Sequence, residues 1–235
     1  MKALIFAAGL GERMRPLTNH TPKPLLVAGG KPLIAWHLEK LAAMGIRDVV
    51  INTSWLADQF PATLGDGGRW GLRLRYSYEG PEPLETGGGM WHALPLLGEA
   101  PFLLVNGDIW TDYDFTRLPR EPAGLAHLVM VERPDHATHG DFALDSDGHV
   151  RADGAMRLTY AGLGVYRPQL LDGWKDIAGD IDTSGGKPRF RLAPILKAHM
   201  PFNRISGEYH AGRWTDVGTP ERLARLDAEL TSGST

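Results

Sequence analysis

The chain of 235 residues contains no cysteine, which excludes disulfide bonds, thiolate nucleophiles and zinc sites built on thiolates. No apolar run is long enough to cross a membrane, and the first apolar segment is too short for a signal peptide. The formal net charge is only −3, so there is no electrostatic support for a nucleic-acid partner. We therefore expect a cytoplasmic protein that binds neither nucleic acid nor membrane.

The composition is that of an ordinary globular protein, with 43% hydrophobic and 23% charged residues. A chain of this length can bury a sizeable core. The sequence shows no internal repeat and no linker between domains. We predict a single domain over residues 1–230 and a polar tail over residues 231–235.

Strand patterns alternate with helical patterns in the first half of the chain. Ile34, Leu38 and Leu41, for example, follow the spacing of one helix face. The alternation predicts an α/β protein with a mainly parallel sheet covered by helices on both faces. Beyond residue 110 strands dominate, and residues 145–148 indicate a hairpin turn. The predicted strands are 3–6, 47–53, 72–78, 102–105, 125–131, 142–144, 149–151 and 158–166, and the predicted helices are 32–45, 55–64, 86–97, 192–199 and 219–230.

A glycine-containing loop at residues 7–18, with a Pro-Lys-Pro segment at 22–24, directly follows the first predicted strand. Gly9 and Gly11 let the backbone turn tightly and approach a ligand, and the N–H groups of such turns bind phosphate oxygens. Three cations lie nearby: Arg13, Arg15 and Lys23. Since a triphosphate needs close backbone donors together with positive side chains, we predict a nucleoside triphosphate site here.

Two other phosphate-binding motifs match this sequence less well. A dinucleotide-binding fingerprint would have a small residue where Met14 stands, and an acidic residue at the end of the next strand. That strand ends in Asn52 instead. The Gly29-Gly30-Lys31 segment lacks the Walker A spacing and the Ser or Thr that follows its lysine, so it indicates a turn.

Two aspartates lie where a sheet of this kind binds its ligands. Asp108 follows a buried strand, and Asp216 precedes a helix that Thr219 caps. Ligands of open α/β sheets bind beyond the carboxyl ends of the strands. Carboxylates from distant segments, together with phosphate oxygens, form an oxygen-rich site that suits Mg²⁺. We therefore predict a magnesium site at Asp108 and Asp216.

Several ordered segments resemble the sugar-1-phosphate nucleotidyltransferase family. The first loop is similar to its A-A-G-x-G-T-R-L-x-P-L-T and P-K-P segments, with Glu12 and Met14 in place of Thr and Leu. Four further segments match its G-D motif, its W-x-D-[IV]-G-T motif, its nucleobase segment P-L-G-T-A-G and its sugar segment. They are residues 106–108, 214–219, 83–89 and 140–142, respectively. The resemblance runs from Met1 to about residue 230.

This resemblance implies a Rossmann-like nucleotidyltransferase domain with a mixed, mainly parallel central sheet. Its members transfer a nucleotidyl group from a nucleoside triphosphate to a sugar 1-phosphate and release pyrophosphate, with Mg²⁺ as cofactor. The implied catalytic residues are Arg13, Lys23 and Asp108, and the implied metal ligands are Asp108 and Asp216. The implied nucleotide-binding residues are Ala8, Gly9, Leu10, Gly11, Glu12, Arg13, Lys23, Glu85, Thr86, Gly87 and Asn106. The implied sugar-binding residues are Gly140 and Asp141, and Glu208 is predicted as a further sugar-binding residue.

Within the family, the motifs look most like the uridylyltransferases that act on N-acetylmuramic acid 1-phosphate in peptidoglycan recycling. UTP and that sugar phosphate are therefore the favoured partners. Mannose-1-phosphate guanylyltransferase and glucose-1-phosphate thymidylyltransferase remain alternatives, because the base and sugar pockets share one scaffold. A nucleotide-sugar sensor without turnover would be expected to lose Lys23, Asp108 or Asp216, and all three are present. The expected assembly is a monomer or a small homo-oligomer.

One family segment is not evident. The E-K-P lysine that helps the family to hold the sugar phosphate has no counterpart between Val150 and Tyr160. Candidates for a substitute cation are Lys187, Arg189 and Lys197. Candidates for binding the lactyl carboxylate of a muramic sugar are Arg189, Arg191 and Arg204.

Overall fold

The computed structural model describes residues 1–232. The last helix ends at Ser232, so residues 231–232 of the predicted tail are helical, and residues 233–235 lie outside the described residues. None of the helices within residues 1–232 combines the length and the apolar composition that a membrane span requires.

The order of the elements alternates strands and helices as predicted for the first half of the chain. The strands are β1 Lys2–Phe6, β2 Val27–Ala28, β3 Lys31–Pro32, β4 Asp48–Thr53, β5 Arg73–Tyr78, β6 Phe102–Asn106, β7 Ile109–Thr111, β8 Ala126–Val131, β9 Phe142–Leu144, β10 Val150–Arg151, β11 Arg157–Tyr166, β12 Ile205–His210 and β13 Trp214–Asp216. The helices are α1 Leu33–Ala43, α2 Gln59–Leu64, α3 Glu85–Leu97, α4 Trp174–Ile177, α5 Ala193–His199 and α6 Pro220–Ser232.

One nine-stranded sheet organises the described residues, in the order β10-β9-β11-β6-β1-β4-β5, with β8 along β11 and β12 beyond β8. β1 lies between β6 and β4 and pairs with both in parallel, and β5 continues in parallel beside β4. β11 runs antiparallel to β6 and β8. The predicted fold class, a mixed sheet with a parallel centre, is confirmed.

Both faces of the sheet are covered by core residues. Successive side chains of a strand point to opposite faces, so a single strand contributes to two core clusters. Ala3 and Ile5 of β1 belong to one core cluster with α1 and α2. Leu4, from the same strand, belongs to a second cluster with α3, α4 and α5. A third, smaller cluster packs α6 against Trp110 of β7 and against Val217.

Five observed strands have no counterpart in the sequence analysis, namely β2, β3, β7, β12 and β13. All of these except β12 have only two or three residues each, which is too few to show a period of two. β12 contains Gly207, which weakens any strand pattern. A side chain at Gly207 would come within 2.9 Å of the Leu128 carbonyl, so the close pairing with β8 requires this glycine.

Two predicted helix starts differ from the structure, one by four residues and the other by a single residue. The helix predicted over 55–64 begins only at Gln59, because Leu56 has a φ of 51°, and Pro61 lies in the first turn, where proline is tolerated. The helix predicted from Pro32 begins at Leu33, since Pro32 is extended and pairs with Val27. The remaining predicted elements agree with the structure to within about two residues.

Candidate active site

The carboxyl ends of the parallel strands open into a cavity of about 560 Å³, which we call the first cavity. All the predicted nucleotide-binding residues line it except Gly87. They are Ala8, Gly9, Leu10, Gly11, Glu12, Arg13, Lys23, Glu85, Thr86 and Asn106. A cavity at this edge of a parallel sheet is where ligands of open α/β folds bind.

The first loop leaves its backbone uncovered towards this cavity. A side chain at Gly9 would meet nothing within 4 Å, so the peptide groups there are open to an approaching ligand. Gly11 has a φ of 65°, and its carbonyl accepts a hydrogen bond of 2.8 Å from Thr18 Oγ1. The loop is thereby folded back onto the segment that leads to Lys23.

A buried polar network braces the start of the loop. Asn52, at the end of β4, accepts the Ala7 N–H at 2.6 Å and donates to Glu79 Oε1 at 2.6 Å. The other carboxylate oxygen of Glu79 accepts the Leu84 N–H at 2.7 Å. Burial raises the pKa of Glu79, and the hydrogen bonds from Leu84 and Asn52 oppose that rise. The network connects three segments that line the first cavity.

Lys23 and Asp108 form an ion pair at the end of the first cavity, with Nζ 2.6 Å from Oδ2. The lysine side chain is only 9% exposed, whereas the aspartate side chain is 38% exposed. Because an ammonium has three N–H donors, the bond to Asp108 uses one of them. The structure thus brings together two predicted catalytic residues that lie 85 positions apart in the sequence.

Asp108 and Asp216 are brought together by the pairing of β7 with β13. The Val217 N–H donates to the Asp108 carbonyl at 2.8 Å, so the two aspartates lie on neighbouring strands. Both line a second cavity of about 240 Å³, which shares Asn106 and Asp108 with the first. Asp108 therefore stands at the junction of the two cavities.

The two carboxylate oxygens of Asp216 have different surroundings. Oδ2 accepts a hydrogen bond of 2.5 Å from Arg222 Nη1. Oδ1 is buried without a hydrogen-bond partner among the described residues, although His136 Nε2 lies 3.0 Å away. That nitrogen accepts a hydrogen bond from Arg222 Nη1 at 2.8 Å, because a guanidinium can only donate. Asp216 Oδ1 is thus a buried carboxylate oxygen that receives no hydrogen bond from the described residues.

The predicted sugar-binding residues are dispersed. Asp141 lines the second cavity, and its Oδ2 accepts the Tyr160 N–H at 2.9 Å. Gly140 does not line it; the backbone of Arg157 lies 2.6 Å from where its side chain would begin. Glu208 lies on β12, outside both cavities, where it accepts a hydrogen bond from the Tyr113 hydroxyl. The structure does not bring Glu208 to the site.

Comparisons with known proteins agree with this geometry. The nucleotidyl transferase family profile matches residues 2–233. The N-acetylmuramate alpha-1-phosphate uridylyltransferase of Neisseria meningitidis is 48% identical over 97% of this chain and 97% of its own length. The chain belongs to the nucleotidyl transferase family.

Other relatives extend the comparison. The Caulobacter vibrioides protein of the same name is 35% identical over 97% of this chain and 96% of its own length. The crystal structure of a glucose-1-phosphate thymidylyltransferase candidate from Bacillus anthracis has a TM-score of 0.84 and 20% identity, and covers 98% of this chain and 95% of that one. The likeness of that structure confirms the predicted Rossmann-like nucleotidyltransferase fold.

In this nucleotidyl transferase the glycines at 87–89 serve packing. The Gly87 and Gly88 N–H groups both donate to the Phe190 carbonyl, at 2.9 and 3.0 Å. A side chain at Gly87 would lie 2.5 Å from the Phe190 ring, and one at Gly89 would lie 2.5 Å from Glu79 Oε1. Gly87, predicted to bind the nucleotide, does not line the first cavity and docks the segment 188–192 onto α3. That docking brings Arg189 to the first cavity, where it lies 3.4 Å from Glu85.

Replacing Gly88 by alanine is expected to weaken nucleotide binding. The new methyl group would lie 2.5 Å from the Pro188 carbonyl, so the segment carrying Arg189 must shift. Overpacking of this kind costs about 1–3 kcal/mol of folding stability. We expect a several-fold higher KM for the nucleoside triphosphate and a lower Tm, measured by steady-state kinetics and thermal melting. Gly185→Ala is the matched control because nothing lies within 4 Å of its position; equal effects of the two changes would refute the packing explanation.

The other candidate cations do not line either cavity. Lys187 Nζ donates to the Glu79 and Tyr78 carbonyls, at 3.0 and 3.3 Å, and so connects its own segment to the end of β5. Arg191 lies 4.0 Å from Glu85, and Arg204 lies over the ring of Phe202. Among the lining residues of the second cavity, the groups able to carry positive charge are His136 and His139. Lys197, Arg191 and Arg204 line neither cavity.

A separate acidic group lies elsewhere. Asp145, Asp147 and His149 bring their ligand atoms within 4.8 Å of one another in the turn between β9 and β10. Asp145 already accepts hydrogen bonds from the His149 and Asp147 N–H groups, which is how such a turn is closed. The group lines neither cavity and is not the predicted metal site.

The sequence analysis missed Asn52, Glu79 and Gly218, all of which line the first cavity. The sequence contains a signal that could have identified Asn52 and Glu79. Asn52 and Glu79 lie at the carboxyl ends of β4 and β5, the strands that continue the parallel sheet from β1. The same rule that selected Asp108 after its strand also selects these positions.

Proposed function

We propose that this chain transfers a uridylyl group from UTP to N-acetylmuramic acid 1-phosphate, releasing pyrophosphate and forming UDP-N-acetylmuramic acid. The observation that carries the proposal is the Lys23–Asp108 pair at the junction of two cavities. A transfer between two phosphates needs one cavity for each substrate and positive charge where they meet. The uracil and muramic acid specificity is supported by the names of the relatives that are 48% and 35% identical.

In the proposed reaction, the sugar phosphate oxygen attacks the α-phosphorus of the triphosphate and pyrophosphate leaves. The nucleophile needs no general base, because the second pKa of a phosphate monoester is about 6. The difficulty is electrostatic, since two anions must meet. Lys23 and Arg13 are proposed to stabilise negative charge on the α-phosphate and on the leaving pyrophosphate. The backbone of residues 9–11 is proposed to hold the triphosphate.

We propose that Asp108 and Asp216 hold the divalent metal ion, Mg²⁺. The residues present suit it: Asp216 Oδ1 is a buried carboxylate oxygen without a hydrogen bond, and hard cations favour oxygen ligands. When bound, such an ion neutralises charge on the phosphate oxygens. Lys23 and Arg222 already balance one oxygen of each carboxylate, at 2.6 and 2.5 Å.

The proposal includes the setting of the reaction. Residues 1–230 are proposed to act as one nucleotidyltransferase domain, working as a monomer or a small homo-oligomer. The activity is proposed to return muramic acid to peptidoglycan synthesis in the cytoplasm. Asp141 is proposed to contact the sugar, on the basis of its position in the second cavity.

A substrate matrix tests the proposed function. Pyrophosphate release is measured for UTP, GTP, dTTP and CTP, each with the 1-phosphates of N-acetylmuramic acid, N-acetylglucosamine, glucose and mannose, in the presence of Mg²⁺. We expect UTP with the muramic sugar phosphate to give a kcat/KM at least tenfold above any other combination. A preference for GTP with mannose 1-phosphate would replace the named activity with that of the Mycobacterium tuberculosis relative, which is 31% identical and is named mannose-1-phosphate guanylyltransferase. Nucleotide binding without pyrophosphate release would favour a sensor.

A further inference from the structure

The two proposed metal ligands are carried by a very small substructure. Asp108 immediately precedes β7 and Asp216 ends β13, and these two strands form a separate two-stranded ribbon outside the main sheet. An isolated two-stranded ribbon is marginally stable at best. Its position must therefore be fixed by contacts with other elements.

The backbone groups on one edge of β7 form hydrogen bonds with β13, whereas those on the other edge do not. Towards β13 the backbone bonds use even-numbered residues, as in the bond from the Val217 N–H to the Asp108 carbonyl. Because peptide groups alternate in direction along a strand, the odd-numbered carbonyls point to the opposite edge. They belong to Ile109, Thr111 and Tyr113. Buried carbonyls without a partner are costly, so this edge requires donors.

Helix α1 supplies those donors from two side chains. His37 Nε2 lies 2.9 Å from the Ile109 carbonyl, and since a carbonyl only accepts, this nitrogen carries the hydrogen. Lys40 Nζ donates to the Thr111 carbonyl at 2.7 Å and to the Tyr113 carbonyl at 2.8 Å. The two side chains are three residues apart and share one face of the helix. Each of these three outward-pointing carbonyls thereby gains a partner.

His37 is buried and Lys40 is partly buried, at a cost that an apolar side chain would not carry. His37 is 1% exposed, and its Nδ1 has no hydrogen-bond partner among the described residues. Burial also lowers the pKa of Lys40, against the attraction of Asp112 and Asp114. An apolar side chain could fill either place without this penalty, but it could not hold the strand edge.

We propose that His37 and Lys40 are positioning residues for the metal site, in that their hydrogen bonds to the outer edge of β7 fix Asp108 and, through β13, Asp216. This inference rests on the proposed metal-binding role of the two aspartates. Neither side chain lines either cavity, so they are proposed to act through the strand and not on a substrate.

The test measures metal binding by the full-length protein, with Mn²⁺ alone as the probe and electron paramagnetic resonance as the readout. Lys40→Met removes the ammonium and keeps most of the stem. Because changes in the groups that orient metal ligands typically cost 10- to 100-fold in affinity, we expect an increase in Kd of roughly that size. Lys40→Arg, which retains donors, should recover most of the affinity. Lys31→Met is the matched control, since Lys31 forms an exposed ion pair with Glu39 and lines neither cavity.

Hydrogen exchange provides a second readout. Amides of residues 109–113 should exchange at least tenfold faster in Lys40→Met than in the control, while those of β1 and β4 should be unchanged. If Lys40→Met does not fold, the pair His37→Gln and His37→Leu replaces it. Glutamine keeps a donor and leucine does not, so only the leucine variant should weaken Mn²⁺ binding.

Asp108→Asn separates the inference from the function on which it rests. If Asp108→Asn binds Mn²⁺ as the wild type does, or if the wild type binds none, the metal site and the inference are both wrong. If Asp108→Asn loses Mn²⁺ while Lys40→Met or His37→Leu keeps wild-type affinity, the metal site stands and the positioning role is wrong. Loss in both, with recovery in Lys40→Arg or His37→Gln, supports the inference.

Discussion

Replacing Lys23 by methionine is expected to lower kcat about 100- to 1000-fold while changing the KM for the nucleoside triphosphate only a few-fold. The ammonium is almost fully buried at the junction of the two cavities. Charge that grows on the phosphate oxygens during the transfer would be stabilised there in a place partly shielded from water. Loss of one such stabilising donor costs about 3–4 kcal/mol in comparable sites. Methionine preserves the unbranched stem, so the packing around Pro24 should be retained.

Arg15→Met is the control for this experiment. Arg15 belongs to the same positively charged loop, but it lines neither cavity. If positive charge in the loop were all that mattered, the two variants would lose activity to similar degrees. We expect Arg15→Met to stay within about threefold of the wild type, in line with the small effect of an exposed charge. Steady-state and single-turnover kinetics distinguish the chemical step from product release; a Lys23→Met variant with wild-type turnover would remove Lys23 from the catalytic residues.

The central sheet could be predicted from the sequence because its strands carry continuous apolar runs. β1, β4 and β6 are buried on both faces, and such strands stand out from their flanking turns. The parts that were not predicted depend on partners distant in sequence. β12 pairs with β8 across about eighty residues, and its own residues 205–210 include a glycine, a glutamate and a histidine. Local pattern cannot reveal an element that only its neighbour stabilises.

The candidate site likewise contains some residues whose role could be predicted from the sequence and others whose role could not. The first loop and Asp108 could be predicted, because each follows a recognisable strand at the edge where ligands bind. The role of Gly87 and Gly88 could not, since Phe190, whose carbonyl accepts their N–H groups, lies about a hundred residues further along the chain. In the sequence they are typical of a flexible or ligand-binding turn, whereas in the structure each allows another segment to approach closely. Spacing along the chain does not distinguish these two uses of glycine.

Glu208, predicted to bind the sugar, lies among partners of its own. Its carboxylate is held by the Tyr113 hydroxyl, with Arg117 at 3.8 Å and His127 at 3.9 Å. This cluster lies on β8, β12 and the connection after β7, outside both cavities. The groups around Glu208 satisfy it within the fold. Asp141, by contrast, reaches the second cavity because its loop enters β9 beside β11.

Replacing Asp216 by asparagine is expected to cost at least 100-fold in kcat/KM at millimolar Mg²⁺ and to raise the Mg²⁺ concentration needed for half-maximal activity. Asparagine keeps the shape of the side chain and can still accept the Arg222 hydrogen bond, but it loses the charge that holds a hard cation. A metal ion contributes several kcal/mol of charge stabilisation in reactions of this kind, and about 3 kcal/mol corresponds to roughly 100-fold in rate. The fold should survive, because the β7–β13 pairing uses backbone groups.

Asp227→Asn provides the control, since Asp227 is a carboxylate of the same final segment with a structural role. Its Oδ1 accepts the Gly29 N–H at 2.8 Å, far from either cavity. That variant should lose some stability, of the order of 1 kcal/mol, and keep the wild-type dependence on Mg²⁺. Titration of activity with Mg²⁺, together with thermal melts with and without the ion, separates the two cases. If Asp216→Asn titrates like the wild type while its Tm falls, Asp216 is a helix-entry residue held by Arg222, and the metal must be held by Asp108 and the substrate phosphates.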